Sequence, residues 1–177
     1  MQIGFEVGAK AARLIGRENI ADVDGALIEL IKNSYDADAH CVYVCFDMPF
    51  PEIPEKITVS EFKEKLTEED YSIIMDFYDL QKGDFKKKEL DEGQQQCLGN
   101  ILTNYNKIIV LDNGTGMSEE TVKSSWMQIG TSDKEHKIKS DGERIKTGAK
   151  GIGRFALDKL SSCSQMYTKA ENTKMIY

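Results

Sequence analysis

The sequence predicts a helix-rich α/β domain with one insertion. Apolar residues at helical spacing from about Asp22 to Asp38 are followed by strand-like alternation at 41–47. A second short apolar run, Ile108–Leu111, predicts another strand. The stretch between the two strands is highly charged, so residues 49–106 are interpreted as an insertion into one domain that spans residues 1–177.

Length, charge and cysteine usage narrow the class of protein. A chain of 177 residues with 40% hydrophobic and 30% charged residues is typical of one soluble domain with its own core. The net charge of -7 gives no support to nucleic-acid binding. The four cysteines lack the paired spacing of a zinc site, and they favour a reducing, cytoplasmic location. No apolar run approaches the roughly 20 residues of a membrane span.

Two helices are expected before the first strand. Good helix formers fill the segment from Val7 to Ile15. The second helix is expected to run to about Asp38 with Asp22 or Asp24 as its N-cap, since a short carboxylate can accept from the free amides of the first turn.

The strand at 41–47 is expected to bury small thiols and to end at prolines. Cys41 and Cys45 lie on the same face of the strand, where a buried thiol is the usual arrangement. The prolines at 49, 51 and 54 follow directly and cannot continue the strand.

Helical spacing returns inside the insertion. Phe62 and Leu66 predict a helix that begins near a capping Ser60, and residues 71–78 show similar spacing. The polar segment 82–96 is expected to be a mobile surface segment.

Three further features are expected in the last third of the chain. Ser118 would cap a helix over 119–128, and residues 155–160 have helical form. Segments 164–169 and 174–177 are interpreted as two strands, the second continuing past the end of the chain, which is therefore expected to be a piece of a larger protein.

Glu29, Asn33 and Asp36 form the first candidate site. At about 100° per residue, the three lie within roughly 60° of one another on the second helix. The residues expected on the other side are Leu27, Leu30, Ile31 and Ser34. A narrow carboxylate and amide face can hold a metal ion and a water against a phosphate. A solvated polar face is the alternative interpretation.

Asp112 begins the second candidate site. It follows an expected buried strand, Lys107 to Leu111, and precedes Gly114 and Gly116. The glycines allow the backbone to turn sharply beside a flat group, and a carboxylate accepts hydrogen bonds only, so it suits an amino group such as adenine N6. An ordinary turn after a strand is the alternative.

Gly148 to Arg154 forms the third candidate site. This glycine-rich segment precedes the 155–160 helix, where free amides and Lys150 would suit a phosphate. The spacing matches neither a P-loop nor a dinucleotide fingerprint. The lysine-rich segment 130–147 is typical of a lid over a polyphosphate, and a flexible loop with a helix cap is the alternative.

The order of the three segments resembles that of the GHKL ATPases. Glu-Leu-x-x-Asn-x-x-Asp-Ala at 29–37 precedes Asp-x-Gly-x-Gly at 112–116 and Gly-x-x-Gly-x-Gly at 148–153. That superfamily includes DNA gyrase B subunits, the ninety-kilodalton heat-shock chaperone, histidine kinases and MutL. The Gly-Thr-Ser at 130–132 and the run at 148–155 are more similar to MORC-type and related prokaryotic ATPases. The resemblance implies a Bergerat-type, two-layer α/β sandwich with a mixed, mostly antiparallel sheet.

The resemblance also implies ATP and Mg²⁺ as cofactors and gives roles to matching residues. Glu29 would be the general base for the attacking water, and Asn33 would bind Mg²⁺. Asp36 would support the site, and Asp112 would accept the adenine amino hydrogen. The remaining nucleotide-binding positions would be Ala37, Gly114, Gly116, Met117, Thr131, Gly148, Lys150, Gly151, Ile152 and Gly153. The family usually has further strands where this chain stops, with a threonine or similar group near the adenine.

The expected function is an ATP-binding, Mg²⁺-dependent ATP-hydrolysing module in a larger protein. In this family ATP often closes the lid and pairs two protomers. A histidine kinase catalytic domain is an alternative that needs a phosphoacceptor outside this chain, because His40 and His136 both follow the start of the Glu29 helix. A non-catalytic nucleotide-binding module is the other alternative, although binding alone has no need of Glu29.

Overall fold

The computed structural model describes residues 20, 22–127, 140, 142–147 and 155–170. The chain divides into two units, one made of residues 1–43 and 110–177 and the other of residues 44–109. Helices and mostly antiparallel strands occur together, as expected of an α/β protein. No helix in the described ranges is long and apolar enough to cross a membrane.

Helix α1, Val23–Asp36, begins at the predicted cap. The side chain of Asp22 accepts a hydrogen bond of 2.7 Å from the Gly25 amide. The stripe of α1 that is removed from solvent contains Ala26, Leu30 and Ser34, which are spaced four residues apart and therefore share one side of the helix.

The buried side of α1 packs on a second, short helix of the same unit. This helix, Ala156–Leu160, is numbered α6 below, and Phe155 and Ala156 form a small core with Ile20 and Ala26. Because α6 has one turn, it covers only a narrow stripe of α1. Ile31, expected on the apolar side opposite Glu29, is 37% exposed, so the described residues leave this part of the apolar side uncovered.

Strands β1, Val42–Asp47, and β5, Lys107–Asp112, pair in a two-stranded sheet. Both strands have the predicted positions, but their expected burial is wrong. Leu111 is 58% exposed and Cys41 is exposed as well. Burial of a strand requires another layer packed over its face, and in the described part of the chain this sheet face stays open to solvent.

The 44–109 unit contains a small sheet with three helices. Its elements are β2 Lys56–Thr58, α2 Val59–Lys65, α3 Glu68–Ile74, a 3₁₀ turn Met75–Phe77, β3 Tyr78–Gln81, β4 Asp84–Lys87 and α4 Glu92–Thr103. The strands follow the order β2-β4-β3 and are antiparallel.

This unit has its own apolar core. The largest fully buried side chains are Phe62, Phe85, Ile74, Leu98 and Leu102. The rings of Phe62 and Tyr78 meet edge to face at 5.1 Å between centroids, a favourable aromatic geometry. Burial of the Tyr78 phenol raises its pKa.

Two predictions for this unit are wrong. Helix α2 is capped by Thr58 and not by Ser60, because only Thr58 has a glutamate, Glu61, three residues later to complete a capping box. The segment 82–96, expected to be mobile, contains β4 and the first turn of α4. The hairpin turn at Lys82 and a second capping box at the start of α4 order this polar sequence.

The last described segments differ partly from expectation. Ser118 caps a helix as predicted, but α5, Glu119–Thr121, continues as a π-helical turn, Val122–Trp126. Residues 164–169 form no strand, because no described strand pairs with them. The predicted helix at 7–15 and strand at 174–177 lie outside the described residues.

Candidate functional site

The end of α1 contacts the residue that follows β5. Ser34, which is 4% exposed, donates a hydrogen bond of 2.9 Å from its hydroxyl to Oδ2 of Asp112. The other carboxylate oxygen accepts from the Gly114 amide at 2.9 Å. Among the described residues, each oxygen of Asp112 accepts one hydrogen bond and keeps acceptor capacity for another donor.

The two glycines after Asp112 lie where a side chain would not fit. A Cβ on Gly114 would come within 2.6 Å of the Ala37 carbonyl oxygen. Gly116 has a φ of 65°, and its Cβ would come within 2.1 Å of the Lys169 carbonyl oxygen. Close backbone approach therefore requires glycine at both positions.

The loop that contains these glycines is tied to α1 and β1. The Thr115 amide donates to the Ala37 carbonyl at 2.9 Å. The side-chain oxygen of Asn113 accepts from the amides of His40 and Cys41 at 2.9 and 2.8 Å. Ala37 and Asp112, predicted from separate parts of the sequence, are thus brought together by backbone bonds.

Met117 contacts a segment that no site prediction named by residue. Its amide donates to the hydroxyl of Thr168 at 2.8 Å. Together with the Gly116 contact to Lys169, this bond places residues 168–169 beside the loop. The bonds of Ser34 to Asp112, of Asn113 to the His40 and Cys41 amides, and of Thr168 to Met117 were not predicted from the sequence.

Glu29 and Asn33 have different surroundings on α1. Glu29 forms an ion pair of 2.7 Å with Lys32, one turn along the helix. Asn33 is packed so that its Nδ2 atom is buried and has no hydrogen-bond partner in the described structure. An unpaired buried amide costs free energy, about 1–3 kcal/mol, unless a ligand satisfies it.

Asp36 connects α1 to the start of the glycine-rich segment. Its Oδ1 atom accepts from the amide and the hydroxyl of Thr147, at 2.8 and 3.1 Å. Thr147 immediately precedes Gly148 in the sequence. The remaining predicted phosphate and lid residues lie outside the described residues: Thr131, Gly148, Lys150, Gly151, Ile152 and Gly153.

The side chains near the candidate site could bind a metal ion only together with a bound ligand. No group of three or more His, Cys, Asp or Glu side chains is placed to hold a metal ion in the described ranges. Mg²⁺ usually keeps several waters and takes only one or two protein ligands beside substrate phosphates. The oxygen and nitrogen of an Asn side chain are assigned from its hydrogen bonds, and the exchanged orientation would present the Asn33 oxygen at the unpartnered position, where it could bind a metal.

Residues 94–177 match the family model described as histidine kinase-, DNA gyrase B- and HSP90-like ATPase. The match covers just under half of the chain, including the Asp112 loop and the glycine-rich segment but not Glu29 or Asn33. It supports an ATP-binding module of the GHKL type. Neither a curated protein nor a solved structure matches the chain.

Proposed function

We propose that this chain binds ATP at the Asp112 loop and hydrolyses it with Mg²⁺. The proposed domain is a Bergerat-type, two-layer α/β sandwich over residues 1–177, with residues 49–106 inserted. The observation that carries the proposal is the Asp112 carboxylate, which accepts hydrogen bonds from Ser34 and Gly114. It lies beside a loop in which positions 114 and 116 have no room for a side chain.

Asp112 is the proposed adenine-reading group. Its free acceptor capacity suits the exocyclic amino group of adenine and would repel the carbonyl oxygen at the same place in guanine. Ala37, Gly114, Gly116 and Met117 would line the base pocket. The hydroxyl of Thr168, bonded to the Met117 amide, is added to this group.

Asn33 and Glu29 are proposed to act at the phosphate end of the nucleotide. Asn33 would hold Mg²⁺, which when bound offsets the charge of the phosphates. Glu29 would orient the attacking water and accept its proton. The Glu29–Lys32 ion pair is a partly exposed helix pair worth only about 0.3–0.5 kcal/mol, so exchanging it for a water costs little.

The phosphate-binding and lid residues remain part of the proposal. Gly148, Lys150, Gly151, Ile152 and Gly153 would bind phosphates, and Thr131 would belong to the lid that closes over them. Closure and ATP-dependent pairing of two protomers would drive a conformational change in a larger protein. A MORC-like or related prokaryotic ATPase is the proposed subfamily.

Thermal unfolding with and without nucleotide tests the binding site. Mg-ATP at about 100 times its dissociation constant should add about 2.7 kcal/mol to the free energy of unfolding. For a chain of this size, the melting temperature should rise by roughly 5–10 °C. Asp112→Asn should abolish the rise, while Asp79→Asn, at an exposed carboxylate of β3, should keep it. An equal rise with GTP, or one that survives in Asp112→Asn, would contradict the adenine site.

A second variant separates hydrolysis from binding. Glu29→Gln should retain the thermal shift and lose ATP turnover, because the amide cannot accept the proton of the water. The matched control is Glu64→Gln on α2, outside the proposed site. If wild type binds ATP without turnover, the non-catalytic nucleotide-binding alternative is the better account of the chain.

A further inference from the structure

Asp38 adopts a backbone conformation that usually belongs to glycine. Its φ is 60°, in the left-handed region, two residues after the end of α1. Aspartate is among the few residues with a side chain that enter this region with some frequency, and they do so at an energetic cost. Since glycine would adopt this conformation more easily, we expect the Asp38 side chain to make contacts that offset the cost.

The Asp38 carboxylate is bound by residues more than one hundred positions away. Its Oδ1 accepts from the Ser140 hydroxyl at 2.5 Å, and its Oδ2 accepts from the Gly142 amide at 2.8 Å. These two hydrogen bonds lower the pKa of Asp38 below its ordinary value, with a smaller contribution from Arg144.

Arg144 makes a second connection to the same end of α1. Its Nη1 atom donates to the Ala39 carbonyl at 2.7 Å, and its guanidinium lies 5.1 Å from the centre of the Tyr35 ring. Its backbone carbonyl accepts from the Ser140 amide at 2.8 Å, and its amide donates to the Ser140 hydroxyl at 3.0 Å. Ser140 and Arg144 thus form one small folded unit that rests on residues 35–39.

Thr147 extends this contact along the chain. Its amide and hydroxyl bind Asp36. Four residues, Ser140, Gly142, Arg144 and Thr147, are thus attached to residues 36–39 at the end of α1. The same helix contains Glu29 and Asn33, and the next residue after Thr147 is the first predicted phosphate-binding glycine.

We propose that Asp38 is a positioning residue for the phosphate end of the nucleotide site. With Ser140, Gly142 and Arg144 it forms a latch that fixes the position of Thr147 relative to Glu29 and Asn33. The proposal rests on the proposed ATPase function for its catalytic consequence. The attachment of residues 140–147 to α1 can be tested without any nucleotide.

Asp38→Gly is the most direct test, because glycine adopts the same φ without steric strain and removes the carboxylate; the backbone freedom that glycine adds is matched in the control below. In hydrogen exchange without nucleotide, amides of residues 142–147 should exchange about tenfold faster or more than in wild type, while amides in the middle of α1 stay unchanged. Lys82→Gly is the matched control, since Lys82 also has a positive φ, of 51°, but lies in the hairpin of the other unit. It should alter neither exchange at 142–147 nor turnover.

The kinetic readout separates positioning from general stability. Asp38→Gly should lower kcat for ATP by between about tenfold and a hundredfold, since small misplacements of the reacting groups have effects of that size. Adenine nucleotide affinity should change less than about threefold, because the contacts of Asp112 are untouched. Asp38→Asn, which keeps an acceptor oxygen and tolerates the same φ, should restore part of kcat.

Unchanged exchange at 142–147 in Asp38→Gly would overturn the latch, whatever the nucleotide results are. Faster exchange with unchanged kcat would overturn the positioning role. Failure of the proposed function is a different result: wild type would then bind no adenine nucleotide, while the exchange difference between wild type and Asp38→Gly would still decide whether the latch exists.

Discussion

The hydroxyl of Ser34 fixes the carboxylate on which nucleotide recognition is proposed to depend. Ser34→Ala removes the 2.9 Å bond to Asp112 from a buried position. We expect the free energy of unfolding to fall by about 1 kcal/mol, the usual net contribution of such a bond. ATP affinity should fall as well, since the carboxylate loses one of its two fixed contacts. Denaturant unfolding and calorimetric titration measure the two effects.

Ser72→Ala provides the control for this change. Ser72 is an exposed helical serine whose hydroxyl bonds to the Glu68 carbonyl in its own helix. Its replacement should change stability by no more than about 0.5 kcal/mol and leave ATP affinity unaltered. Equal effects at both serines would show that the Ser34–Asp112 bond has no special role.

Gly116 makes a second prediction at the residue scale. Gly116→Ala would combine a φ of 65° with a Cβ placed 2.1 Å from the Lys169 carbonyl oxygen, so the loop must move. We expect a loss of about 1–3 kcal/mol in stability, together with weaker nucleotide binding. Thermal and denaturant unfolding of the variant provide the measurement.

Gly99→Ala is an informative comparison because it is expected to raise the free energy of unfolding, whereas Gly116→Ala should lower it. Gly99 lies inside α4, where the nearest atom to an added Cβ is the Ile53 methyl at an ordinary 3.7 Å. Alanine has the higher helix propensity, so stability should rise by roughly 0.5–1 kcal/mol. A gain at both glycines would contradict the steric argument for Gly116.

The sequence pattern predicted the residue types of the proposed site but not the contacts between them. Asp112, Gly114 and Gly116 follow from local chain chemistry, and the structure places Ala37 beside them. Ser34 could not be found in this way, since a serine among apolar residues gives no signal until its partner 78 positions away is known. The Asp38 contacts to Ser140 and Gly142 were missed for the same reason.

At the scale of elements, the first turn of α2 depends on its capping box. Thr58→Ala removes the oxygen that accepts from the Glu61 amide and leaves the Glu61 carboxylate without one of its two partners at Thr58. We expect a loss of about 1 kcal/mol, within the range of measured N-cap substitutions. Denaturant unfolding followed by circular dichroism measures it.

Ser60→Ala distinguishes the observed cap from the predicted one. Ser60 lies within the first turn of α2, is exposed, and has a hydroxyl contact of 3.1 Å with Thr58. We expect its replacement to cost clearly less than that of Thr58. If Ser60→Ala were the more damaging change, the capping box would not set the start of the helix.

Elements with strong local signals were predicted well, and elements that depend on distant partners were not. Helix α1 and strands β1 and β5 follow from spacing and caps, and they lie where expected. The polar segment 82–96 folds because β4 pairs with both β2 and β3, which composition alone does not reveal. Conversely, 164–169 has strand-like residues but no described partner strand.

At the scale of the whole molecule, the two units have separate cores. The core of residues 44–109 is built around Phe62, whereas Ile20, Ala26, Phe155 and Ala156 form a smaller core in the other unit. The proposed adenine-reading, metal-binding and latch residues described above all belong to the unit of residues 1–43 and 110–177. We therefore expect damage to the Phe62 core to leave much of the proposed nucleotide site intact.

Phe62→Ala tests this separation. Phe62 is fully buried among Phe50, Tyr78 and Phe85, so its truncation should cost about 3–5 kcal/mol. In native-state hydrogen exchange, amides near Leu98 in α4 should exchange at least about a hundredfold faster. Amides of α1 should change little, and the exposed control Ile73→Ala should affect neither region. Equal acceleration in α1 and α4 would show instead that the two cores unfold as one cooperative unit, in which case residues 44–109 would contribute to the stability of the proposed nucleotide site.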